Sequence, residues 1–78
     1  MKKAIIYTTP TCTYCKMAKE FFEKNNISYE EKDVWQDEKA RDEMIAKSNQ
    51  LGVPVIDIEG DIVIGFNQNK LSELLAIK

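Results

Sequence analysis

The chain has 78 residues, 44% of them hydrophobic and 31% charged, with a formal net charge of −2 and no histidine. That length holds one domain, residues 1–78, with no room for a linker and a second core, and such a chain buries roughly 60–65% of its unfolded surface. The acidic balance excludes the basic excess of a nucleic-acid binder, and no apolar stretch approaches the roughly 20 residues of a membrane span.

Met1-Lys2-Lys3 resembles the start of a signal peptide, but the apolar run behind it ends at Tyr7 and Thr8-Thr9-Pro10 follows. The expectation is a cytoplasmic monomer with no membrane or nucleic-acid partner. The first strand is read from Lys3 to Thr8, β-branched and aromatic, and stopped by Thr9-Pro10-Thr11. A helix follows from about Thr13 to Asn25, with Met17, Ala18, Phe21 and Phe22 as one apolar stripe. Cys15 leads that stripe and should face the core, whereas Cys12 at the helix mouth should be reachable. Asn25-Asn26 closes the helix with residues that tolerate a left-handed cap.

Ile27 to Val34 reads as a second strand, charged enough to lie at a sheet edge. Trp35 behind it is expected to cover the core rather than to bind anything. Asp37 is the predicted N-cap of a helix reaching about Lys47, with Ala40, Met44 and Ile45 inward. Pro54 opens a third strand, Val55 to Ile58. Glu59-Gly60-Asp61 then turns the chain into a fourth, Ile62 to Ile64, as an antiparallel hairpin. Asn67 or Asn69 caps a last helix that carries Leu71, Leu74 and Leu75. The order β-α-β-α-β-β-α gives an α/β domain with a four-stranded mixed sheet and helices on both faces.

Chemistry concentrates in Cys12 and Cys15, the only cysteines of the chain. A Cys-x-x-Cys where a strand runs into a helix is the mark of a thiol–disulfide redox site. The helix start leaves backbone N–H groups unpaired and directs its positive end at a sulfur there, stabilising the thiolate that attacks disulfides. A structural staple is the weaker reading, since closing so short a loop gives only about 2 kcal/mol. Structural zinc needs four ligands, and no second Cys pair and no histidine supplies them; only a site shared between two chains would hold a metal. In a reducing cytosol a Cys pair is catalytic more often than structural.

Three segments carry a resemblance over essentially the whole chain: Tyr7-Thr8-Thr9-Pro10-Thr11-Cys12-Thr13-Tyr14-Cys15, Gly52-Val53-Pro54-Val55 and Ile64-Gly65-Phe66-Asn67. In that order and spacing the chain resembles the thioredoxin fold and, more closely, a glutaredoxin-like small redoxin. The resemblance implies that Cys12 attacks a substrate disulfide and Cys15 resolves the mixed disulfide, leaving a redox-active Cys12–Cys15 disulfide with no bound cofactor and no metal. Thr13, Tyr14, Val53, Pro54, Gly65 and Phe66 would then contact the substrate, with Lys16 adding positive field. Lys19 would add to that field too, unless both lysines simply pair with Glu20 and Glu23 on a solvated helix face. Pro54 matches the cis-proline of the family. Only about 5–6% of X-Pro bonds are cis, so that geometry is implied by the resemblance alone.

Several positions depart from the family pattern. Thr13 stands where most glutaredoxins have proline, and Thr9 where a lysine often meets a glutathione carboxylate. Phe66 and Asn67-Gln68 replace a glycine and an acidic residue that receive the other end of glutathione. Phe66 resembles instead the redoxins recharged by thioredoxin reductase that serve ribonucleotide reductase. The expected function is therefore protein-disulfide reduction with a thioredoxin-reductase-like flavoprotein as donor and disulfide-containing proteins as acceptors. Glutathione-dependent reduction is the first alternative, and an iron–sulfur carrier using Cys12 the second.

Overall fold

The computed structural model of the protein describes residues 3–50 and 52–75. Its elements are β1 (Ala4–Thr8), α1 (Thr13–Lys24), β2 (Tyr29–Asp33), α2 (Glu38–Ser48), β3 (Val55–Ile58), β4 (Asp61–Ile64) and α3 (Gln68–Leu74). The sheet order is β2-β1-β3-β4, with β2 parallel to β1 and the other neighbours antiparallel. The element order and the edge position of charged β2 are as the sequence predicts. Only boundaries differ: β1 begins at Ala4, β2 is shorter at both ends, and β4 begins at Asp61.

Side chains alternate across the sheet, and the two faces carry separate cores. Ala4, Ile6, Ile56, Ile58 and Val63 pack with Ala18, Phe21 and Phe22 of α1 and Leu71 of α3. Tyr7 and Val55 face the other way and pack with Val34, Ala40 and Met44. Helices therefore cover both faces, α1 and α3 on one and α2 on the other. Met17 departs from the predicted stripe: it is 42% exposed. Cys15, Ala18 and Phe22 occupy the inward arc of α1, and at about 100° per residue Met17 falls on the outward flank with Tyr14, three residues before it.

The helix ends follow local chemistry. Asn26 takes a left-handed φ of 57° after α1, and Ile27 N–H returns to Phe22 O at 2.8 Å while Ile27 packs against the core. This is the left-handed stop in which an apolar residue seals the helix end. Asp37 caps α2 by accepting from the Lys39 and Ala40 amides, and Asn49 ends it at φ 58°. Between Asp37 and the capped α3, the hairpin turn Glu59-Gly60 has positive φ at both residues, the geometry that suits the twist of paired strands. Asn67, not Asn69, caps α3, accepting from Lys70 N–H.

A polar network crosses the α2 face. Lys47 Nζ donates to Asp57 Oδ2 at 2.7 Å and to Tyr7 Oη at 2.9 Å, and Tyr7 Oη donates to Glu43 Oε1 at 3.0 Å. Lys32 Nζ reaches Glu43 at 3.0 Å, so α2 is tied to β1, β2 and β3 at once. Asp57 is nearly buried; its other oxygen accepts from Gly60 N–H at 2.7 Å in the hairpin turn. Burial is the largest single effect on both Asp57 and Lys47 and opposes their ionisation. Their mutual hydrogen bond, together with those of Gly60 N–H to Asp57 and of Tyr7 and Glu43 to Lys47, outweighs it, so the carboxyl lies below and the ammonium above its ordinary range. Hydrogen bonds from Lys32, Tyr7 and Lys47 hold Glu43 down to about 2.

A depressed folded-state pKa stabilises above the unfolded value and loses that contribution as pH falls through the folded value. Thermal stability should therefore fall as pH drops from about 4.5 toward about 2. Glu43→Gln should be less stable at neutral pH and show a shallower decline across that window, measured as Tm against pH. An unchanged slope in Glu43→Gln would remove Glu43 as a source of acid sensitivity.

Candidate active site

The site forms where β1 leaves the sheet. Val34 N–H donates to Thr8 O at 2.9 Å, holding the ends of β1 and β2 together before their loops diverge. Cys12 N–H returns to Thr9 O at 3.3 Å, so Thr9-Pro10-Thr11 is a tight turn that delivers Cys12 to the start of α1. Cys12 is the N-cap, with extended φ and ψ of −87° and 109°, and its Sγ accepts from Cys15 N–H at 3.1 Å. A sulfur thus occupies the position that Ser or Asp usually fills, facing unpaired amides and the positive end of the helix. Cys12 and Cys15 are joined as a disulfide, with Cα atoms 5.2 Å apart. Cys12 is half-buried, while Cys15 is only 1% exposed on the inner face of α1.

The Val53–Pro54 bond is cis, as the family resemblance implied, and Pro54 is fully buried. Gly65 N–H donates to Pro54 O at 2.8 Å, which joins two of the predicted site segments directly. Gly65 has φ of +76°, and nothing lies within 4 Å of the place where a Cβ would stand. Phe66 is half-buried and meets Phe21 edge to face at 5.9 Å, so the core takes part of its ring. Val53 is also half-buried, packed against the α2-side core. Thr13, Tyr14 and Lys16 are exposed on the first turn of α1, Tyr14 by 62%.

Two expectations need correction. Lys19 pairs neither with Glu20 nor with Glu23. It reaches across to β2 and donates to Glu31 Oε2 at 2.9 Å, where buried Thr8 Oγ1 also donates at 2.8 Å. The hydrogen bond from Lys19, ahead of that from Thr8 and against a burial effect between them, holds Glu31 below the usual carboxylate range. The positive charge of Lys19 is therefore spent within the fold, and Lys16 is left as the exposed cation of the first turns.

Trp35 is the second correction. It does not cover the core but stands 77% exposed. Asp33 Oδ1 accepts from Trp35 N–H at 2.9 Å and from Gln36 N–H at 3.3 Å, which fixes the loop between β2 and α2. With Thr9, Pro10 and Thr11 the residue lines a hollow of about 360 Å³. A sequence signal was present: Trp35 falls between a strand end and the Asp37 cap, in a loop that offers no inward-facing slot.

The glutaredoxin family model matches residues 4–63. The chain belongs to the glutaredoxin family. It is 46% identical over 70 residues to a glutaredoxin-like 8.6 kDa protein in the rubredoxin operon of Clostridium pasteurianum, covering 90% of this chain and 93% of that one. Glutaredoxin 3 of Escherichia coli is 34% identical over 65 residues, with 83% and 78% covered. Among solved structures, a point mutant of a thioredoxin-like protein superposes with a TM-score of 0.92 at 40% identity, covering all of both chains. A glutaredoxin from Archaeoglobus fulgidus gives 0.86 at 26% identity, covering 96% of this chain and 87% of that one. The architecture is the thioredoxin/glutaredoxin fold, and the protein is a thiol–disulfide oxidoreductase of glutaredoxin type. Among the described residues no helix is long and apolar enough to cross a membrane, and no group of three His, Cys, Asp or Glu side chains is placed to hold a metal ion.

Gly65 offers a direct check on the loop beside Pro54. Gly65→Ala meets no steric obstacle but places an L-residue in the left-handed region, which should cost about 1–2 kcal/mol. Denaturant unfolding should show a lower midpoint with an unchanged slope. Wild-type stability in Gly65→Ala would mean that the loop relaxes to negative φ at no cost.

Proposed function

We propose that this glutaredoxin-family chain reduces protein disulfides by a dithiol mechanism, in which Cys12 attacks, Cys15 resolves, and a thioredoxin-reductase-like flavoprotein restores the dithiol. The observation that carries the assignment is the asymmetry of the pair: Cys12 is accessible at the helix mouth with an amide 3.1 Å from its sulfur, whereas Cys15 is buried beneath it.

The reaction is two exchanges. The Cys12 thiolate attacks one sulfur of a substrate disulfide, the substrate S–S bond breaks, and the departing thiolate takes up a proton. Cys15 then loses its proton and attacks Cys12 Sγ, forming the Cys12–Cys15 disulfide and releasing the second substrate thiolate. Two electrons pass from the dithiol to the substrate, and the flavoprotein returns two. Three features assist: the Cys15 amide and helix dipole stabilise the Cys12 thiolate, Lys16 adds a cation nearby, and the short spacing keeps Cys15 at hand for resolution. Thr13, Tyr14, Val53, Pro54, Gly65 and Phe66 form the substrate-contacting surface of this proposal. The open space over Gly65 leaves room for an extended polypeptide to approach the backbone there.

The donor assignment rests on missing charge. Thr9 is neutral, Phe66 occupies space with its ring against Phe21, and the Asn67 side chain is engaged in capping α3. Each charged hydrogen bond that glutathione fails to make costs on the order of 1.5–3 kcal/mol, so two missing contacts cut affinity more than tenfold.

Two measurements test these roles. Cys15→Ser should stop at the mixed disulfide and accumulate covalent adducts with oxidised proteins, seen by mass spectrometry, while Cys12→Ser should form none. The reverse pattern would exchange the roles. In a donor assay the protein should turn over faster with a thioredoxin-reductase-type flavoprotein than with glutathione. Thr9→Lys combined with Asn67→Asp, which keeps a good helix cap, should raise the glutathione-linked rate about tenfold or more. Wild-type turnover with glutathione equal to that of an ordinary glutaredoxin assayed alongside would overturn the donor assignment.

A further inference from the structure

Cys12 has exposed apolar surface on both sides. Tyr14 and Met17 lie along the outer flank of α1, and Trp35 stands on the side of the Thr9-Pro10-Thr11 turn. An indole that is 77% exposed is unusual for so large an apolar group, and its loop is held by two amides on Asp33 and by Asp37 N–H on Asp33 O at 2.9 Å. The ring is thus presented from an ordered turn. The hollow it shares with Thr9, Pro10 and Thr11 has about 360 Å³, near the lower end of small-ligand sites, and none of these four residues is charged.

The location restricts the occupant. Thr11 precedes Cys12 directly and Cys12 N–H is bonded to Thr9 O, so the hollow is walled by the turn that leads into the cysteine to which a substrate becomes attached. A molecule held at Cys12 by a mixed disulfide therefore has its neighbouring side chains within reach of this hollow. A charged tripeptide such as glutathione finds no counter-charge there, whereas an aromatic or branched aliphatic side chain finds an indole and a proline ring. Resting on the reductase function proposed above, we infer that the Trp35 hollow is a specificity pocket for the protein substrate. It takes one bulky apolar side chain next to the cysteine under attack, and Trp35 is its main wall.

Such a pocket discriminates by burial. Transfer of a phenylalanine side chain from water into contact with apolar walls favours that substrate by about tenfold or more over one with a small polar residue at the same place. A merely structural Trp35 would give no such preference, since it would support the active-site loop for every substrate alike.

Two disulfide-linked peptides test the inference, one with phenylalanine and one with serine beside the cysteine, with 2-hydroxyethyl disulfide as a third substrate. The wild-type protein should show kcat/KM at least tenfold higher for the phenylalanine peptide. Trp35→Ala should bring that ratio close to one, and Trp35→Phe should restore most of it. Trp35 is the only tryptophan, so fluorescence gives an independent reading. The trapped Cys15→Ser adduct of the phenylalanine peptide should emit at shorter wavelength than that of the serine peptide. Equal wild-type rates for the two peptides, or an equal fall for both in Trp35→Ala with the ratio kept, would overturn the specificity pocket while leaving the reductase function standing. Failure to reduce any of the three disulfides would overturn the reductase reading, and the pocket with it.

Discussion

Pairing of β1 on both edges is the constraint from which the rest follows. The strand has β2 parallel on one side and β3 antiparallel on the other, and its last two residues are completely or almost completely buried. Tyr7 and Thr8 point to opposite faces, and each ends in a hydroxyl that donates to a carboxylate, Glu43 on one side and Glu31 on the other. A one-residue slip would exchange these faces, bury the wrong groups and break both hydrogen bonds. The register therefore fixes the exit of the chain toward Pro10, and with it the place of Cys12. The sulfur is positioned by the sheet and only tuned by the helix.

The polar networks on the two faces do different work. On the α1 side, Lys19 and Thr8 converge on Glu31 and hold the reactive helix against β2. On the α2 side, five side chains (Tyr7, Lys32, Glu43, Lys47 and Asp57) replace part of what a larger apolar core would supply. In a small domain such a network is specific rather than strongly stabilising, because desolvation offsets much of the attraction. It ties α2 to β1, β2 and β3, while the loop that carries Trp35 is held separately by Asp33.

Local signals in the sequence were read well where local physics decides the outcome. Alternation and β-branching locate the strands, Asp37 and the pair Asn67 or Asn69 mark helix starts, and Asn25-Asn26 and Glu59-Gly60-Asp61 mark the stop and the turn in which Asn26, Glu59 and Gly60 take positive φ. Cys12 and Cys15 were legible in place and in exposure because a helix mouth and a helix stripe are defined by spacing. Met17 is apolar and adjoins the stripe in sequence, yet the angle around the helix carries it to the exposed flank. Trp35 departs from the expectation because a large aromatic is usually covered, whereas its place in the short loop before the Asp37 cap leaves it outside. The polar contacts are not local in sequence: Lys47 meets Tyr7 and Asp57, and Lys19 meets Glu31, only once the sheet has assembled.

The two outer strands of the sheet have a further consequence. β2 exposes Glu30 and Glu31 along one rim, and β4 is a four-residue strand that begins with exposed Asp61 along the other. An open rim invites another molecule to continue the hydrogen-bond ladder, and charge or brevity discourages it. Both rims of this sheet are guarded in that way, one by a run of charged side chains from Glu30 to Asp33, the other by too little length to grip. The ladder of this sheet is thus effectively closed at four strands, and a further strand finds neither rim easy to extend.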